Sequence, residues 1–225
     1  MSEGAGDSLV KSITNARVLE VATDVCEIAL DSTLDEGLLK EVPVFGWIVK
    51  ATGAVSTVRD RLFLKKVALF LANTSDLSLS ERMIFEQNLD NDPTLRKKVG
   101  ESLFLLLDRH EELEKPEILG RVFARYVKGQ IELEEFQRAA LAIDRCPATV
   151  LKKLDEHYAK LRTYWIDRAG TDVESRPFNE YLDSETTQYL YVAGIVRTEE
   201  YIETTYVENR TGVTLMRAIF GEDAQ

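Results

Sequence analysis

Apolar residues recur every three or four positions through most of this chain, and that period commits it to helices. Ile48, Ala51, Val55, Val58 and Leu62 form one stripe, and Phe63, Val67, Phe70 and Leu71 continue on a second. A helix apolar on two sides must pack on two sides. The segment from about Val44 to Leu71 is therefore expected at the centre of a bundle, as one long helix or two joined near Gly53. The same period runs through Val18–Ala29, Val99–Leu107, Leu119–Val127, Leu133–Ile143 and Leu151–Trp165.

Start and stop signals divide these stripes. Asp7 or Ser8 is placed to cap a first helix that stops near Asp31. Pro43 presets a helical φ. Ser78 followed by Glu81 is a capping box, in which each side chain serves the other residue's backbone amide. Asp92-Pro93 pairs a cap with proline at the first helical position. Gly129, Pro147 and Gly194 end helices. The segment 168–177 reads as a loop, and 178–193 as a helix. Thr, Tyr, Ile and Val are dense over residues 198–208, which favours strands, and Asn209 to Gly212 reads as a turn or cap before a last helix. The expected fold is mainly α: a multi-helix bundle over 8–145, and a winged-helix-like C-terminal unit over 148–220 with a small β-hairpin, with one continuous domain as the alternative and 168–177 as the best candidate for a boundary or insertion.

Charge narrows the function. The net charge is −11, and the balance is −2, −4 and −5 over successive thirds. Counterion release from nucleic acid needs clustered Lys and Arg, so the overall field disfavours a nucleic-acid partner. The basic clusters are small. Arg59, Arg61, Lys65 and Lys66 are the densest, with Asp60 among them. No run reaches the ~20 apolar residues of a membrane span, and the first residues lack the basic and apolar regions of a signal peptide. These features lead us to expect a cytoplasmic chain. Cys26 and Cys146 sit in apolar-periodic segments and read as reduced core thiols.

No recognised catalytic constellation assembles. His110-Glu111 begins like a zinc-protease helix, but Glu114 stands where the second histidine ligand belongs. Leu107 and Leu154, not glutamates, precede His110 and His157 by three. Phosphate-loop, dinucleotide-fold and nucleophile-elbow patterns are missing. Catalytic, cofactor-binding and metal residues are therefore all expected to be none. The run Gly129 to Phe136 resembles the second half of a calcium-binding EF-hand loop. Ala124, Tyr126 and Lys128 occupy the early ligand positions, so the run reads as a helix–turn–helix pinned by Ile131.

Two resemblances extend further. Tyr189-Leu190-Tyr191-Val192-Ala193-Gly194-Ile195-Val196, then β-rich residues, then Asn209-Arg210-Thr211-Gly212-Val213, resembles the end of a winged-helix domain. That resemblance implies that the helix before the wing is the contact helix. The segment from Phe178 to Gln188 has no Lys or Arg and three acids, which suits protein contact better than base reading. Pro43-Val44-Phe45-Gly46, the run Arg59 to Lys66, and Gly129-Gln130-Ile131 with Glu135-Phe136 resemble uncharacterised helical proteins of bacteria. No activity comes with that likeness. The expectation is a non-enzymatic protein-interaction or regulatory module with a protein partner or self-association. Phe45, Trp47, Arg59, Arg61, Lys65, Lys66 and Arg197 are the candidate contacts. A winged-helix DNA-binding regulator is the alternative, followed by a membrane-associated defence-type effector acting through Val42–Val55.

Overall fold

The computed structural model describes residues 4–15, 18–27, 39, 41–52, 57–160, 183–200 and 204–221, and these are mainly α-helical. The chain divides into two compact units, Met1–Gln130 and Ile131–Gln225. The sequence placed the division at 145–148. Instead the helix Leu133–Arg145 packs on the last helix, Arg210–Phe220, and so belongs with the C-terminal unit.

The N-terminal unit contains α1 (Ala5–Thr14), α2 (Val18–Glu27), α3 (Pro43–Thr52), α4 (Val58–Ala72), α5 (Leu79–Asn91), α6 (Pro93–Arg109) and α7 (Glu114–Val127). As the two-sided apolar pattern requires, α4 is central and packs on α2, α3, α6 and α7. Its Leu64, Val67, Phe70 and Leu71 are buried. Phe123 of α7 stacks near Phe70 and Phe85, with ring centroids 5.5 and 5.7 Å away. The expected first helix is in two pieces. It starts at Ala5, earlier than Asp7, and Asn15 takes an extended conformation (φ −89°, ψ 119°) before α2. On either side of this break, α1 packs on α6 and α2 on α4.

Local signals in this unit are realised. Ser78 and Glu81 form both halves of the capping box. Asp92 accepts the Leu95 amide beside Pro93. Thr57 and Asp60 make a second box, which the sequence reading passed over. Gly129 at φ +70° ends the turn after α7 in the left-handed region that glycine adopts without strain. Other ties are long-range. Ser12 Oγ donates to the Ser8 carbonyl (2.8 Å) and accepts from the Val44 amide (2.9 Å), so α1 supplies a cap to α3. Arg82 is buried and donates to the carbonyls of Ile13, Thr74 (2.6 Å) and Leu77 (3.3 Å).

The C-terminal unit contains α8 (Leu133–Arg145), α9 (Ala148–Leu151), a helical stretch over 154–160, α10 (Ser184–Val192), β1 (Val196–Glu200), β2 (Thr204–Glu208) and α11 (Arg210–Phe220). The helix expected through Leu151 and Tyr158 is interrupted by a turn at Lys152 and Lys153. Leu161, Trp165, the loop 168–177 and the start of the helix expected from Phe178 lie outside the described residues. Strands β1 and β2 pair antiparallel, from Val196 opposite Glu208 to Glu200 opposite Thr204. Buried Glu135 on α8 accepts from the Thr214 hydroxyl on α11, and its other oxygen lies 2.6 Å from Arg210 Nε.

Candidate interaction surface

The candidate contacts fall into different environments. Phe45 is 0% exposed, so it belongs to the core and offers no contact surface. Val42, Val44, Ile48 and Val49 are buried beside it, so these residues of the apolar run assigned to a membrane-active alternative belong to the core, while residues 53–55 of that run lie outside the described residues. Trp47 is half-buried with its ring edge-on to Phe104 (5.4 Å).

The four basic residues of α4 do not act as one patch. Lys66 Nζ donates to the carbonyls of Asp108 (2.9 Å) and His110 (2.7 Å), closing the C-terminal end of α6. Burial lowers its pKa, and Asp108 opposes that shift. Arg59 is exposed and lies 4.0 Å from Asp108, while Arg61 and Lys65 are half-buried. Arg197 is exposed on β1 of the other unit.

The histidines are withdrawn from solvent. His157 is buried, and its pKa is lowered to about 4 by desolvation and then Lys160, against Asp183. His110 is buried too. Among the described residues, no group of three or more His, Cys, Asp or Glu is placed to hold a metal ion. No helix among them is long and apolar enough to cross a membrane.

The winged-helix resemblance points to the helix before the hairpin as a contact element but to no particular face of it. Asp183 caps this helix by accepting from the Glu185 (3.4 Å) and Thr186 (2.9 Å) amides, and the Thr186 bonds hold its carboxyl below the usual range. Thr187 and Leu190 bury one side. Glu185, Gln188, Tyr189 and Val192, at spacings of three and four, occupy the other, with Tyr189 42% and Val192 63% exposed.

The end of α10 is fixed in place. Gly194 turns at φ +76°, and the Ile195 amide returns to the Leu190 carbonyl (2.8 Å). Asn209 Nδ2 donates to the Gly194 carbonyl (2.8 Å), and the Tyr158 hydroxyl donates to that of Ile195 (2.9 Å). Gly212 lies so close to Tyr158 that any side chain there meets the phenol ring, its Cζ at 2.8 Å. A held helix presenting a tyrosine and a valine loses little entropy on docking. Comparison with protein-family models, curated proteins and solved structures gives no match to this chain.

Proposed function

We propose that the chain is a non-enzymatic protein-interaction or regulatory module that docks a protein on the solvent face of α10. The exposure of Tyr189 and Val192 on a helix whose opposite side is buried carries this reading. The order of α10, a left-handed glycine, paired strands and a side-chain-capped α11 supports a winged-helix-like reading of residues 148–220. In DNA-binding versions of that arrangement the helix before the wing enters the major groove, with basic and amide side chains. From Ser184 to Val192, α10 has no Lys or Arg and presents Glu185 to solvent, which favours a protein surface over phosphate.

The test is capture of partners from the native host by the tagged full-length chain, alongside a Tyr189→Ser/Val192→Ser variant. The expected result is one stoichiometric protein retained by the parent chain and lost by the variant. Equal capture by both chains would remove α10 as the contact. Specific DNA in the eluate would favour the regulator instead.

A further inference from the structure

The N-terminal unit holds a concave site unrelated to α10. Helix α1 crosses α6 where Gly6 lies on Gly100; a Cβ on Gly6 would stand 2.6 Å from the Gly100 carbonyl carbon. Helices that meet backbone to backbone at one point diverge away from it. A cleft of about 690 Å³ opens there between the first turn of α1 and the face of α6. Small-molecule sites are commonly about 300–1,000 Å³.

The chemistry of the lining is unequal. Ala5, Pro93, Phe104 and Leu105 supply apolar surface. Trp47 and Phe63 hold the Phe104 ring edge-on, with centroids at 5.4 and 5.0 Å, so this wall is preformed. Leu105 is 61% exposed and has apolar area to lose to a ligand. The least exposed charge of the lining, Arg96, is already matched. Arg96 Nε lies 2.6 Å from Asp7, and another guanidinium nitrogen lies 2.7 Å from Asp90. Lys97 faces Glu101 at 3.9 Å. A charged ligand would compete with the close Asp7–Arg96–Asp90 pairing, whereas an uncharged one leaves it intact.

We infer that this cleft binds an uncharged, mainly apolar small molecule against Phe104 and Leu105. The paired charges form its rim and keep ionic competitors out. The site does not depend on the α10 reading, because every lining residue lies in the N-terminal unit.

The probe is Nile red, a neutral dye whose emission rises and shifts to the blue in apolar surroundings, titrated into the full-length chain. Saturable binding at one dye per chain is expected. Leu105→Glu, at an exposed position, should weaken it by about tenfold or more. Ala5→Leu, which narrows the cleft from the other wall, should also weaken it, and circular dichroism will show that both variants remain folded. Tyr189→Ser should leave the titration unchanged. Dye that fails to saturate, or that ignores both cleft variants, overturns the proposal. Tighter binding of an anionic naphthalene sulfonate than of Nile red overturns the uncharged class.

Discussion

In the N-terminal unit buried Arg82 is satisfied by backbone carbonyls, whereas in the C-terminal unit buried Glu135 is satisfied by side chains. Arg82 reaches three carbonyls. Ile13 lies in the last turn of α1, and Thr74 and Leu77 lie in the connection after α4. Carbonyls at helix ends have no intrahelical donor, so one guanidinium completes several chain ends at once. Glu135 instead meets Thr214 and Arg210, both on α11, and so ties two helices through their side chains. The two apolar surfaces proposed as binding sites also differ in shape. In the N-terminal unit, exposed Leu105 lines a cleft. In the C-terminal unit, Tyr189 and Val192 stand along the outer face of a helix. A concave wall suits a small molecule; an outward helix face suits another macromolecule.

The sharpest way to break this contrast is Arg82→Leu. The Ile13 and Leu77 carbonyls lose this donor while Thr74 keeps the Leu77 amide, and stability should fall by about 2–4 kcal/mol in denaturant unfolding, with Arg82→Lys recovering only part because one ammonium lacks the fork. A loss below about 1 kcal/mol would mean that the backbone ends find other donors.

Next in size is the helix crossing. Gly100→Ala places a methyl group 2.6 Å from the Gly6 carbonyl carbon, so α1 and α6 must separate. A cost of about 1–3 kcal/mol is expected from the same unfolding curves. Gly4→Ala has open space around its added methyl and should stay within about 0.5 kcal/mol. Equal effects at the two glycines would remove the close crossing as the cause.

The C-terminal unit should respond to acid through His157. Unfolded, this imidazole takes up a proton near 6.5, while folded it resists protonation until about 4. The neutral folded form is therefore fully favoured above pH 6.5, and its contribution is lost as pH falls toward 4. On the order of 2 kcal/mol should disappear across that window, followed as the unfolding midpoint against pH. His157→Gln should flatten the slope. An unchanged slope would assign the acid sensitivity to other groups.

Much of the helical framework is legible in order along the chain. Ser78 with Glu81, Asp92 with Pro93, and Asn209 before α11 act on amides within a few residues, so sequence spacing suffices to find them. The Thr57–Asp60 box is of the same local kind, with both bonds made within three residues. The helix break at Asn15 was not legible, because it depends on α1 and α2 packing on different partners. Lys66 looked like part of a basic patch, yet carbonyls more than forty residues away occupy it. Phe45 looked like a contact and is core; Tyr189 entered the sequence reading only as part of the helix before the hairpin and stands in solvent.

By itself, then, the sequence determined the mainly helical character, the local caps and the glycine stops. These follow from side-chain period and from hydrogen bonds made within one turn. Only the tertiary structure decided that Leu133–Arg145 belongs with the second unit, that Arg82 is buried on three carbonyls, and that Leu105, Tyr189 and Val192 remain uncovered. Burial depends on which elements arrive from far along the chain, and periodicity fixes the face a residue occupies without fixing what covers it.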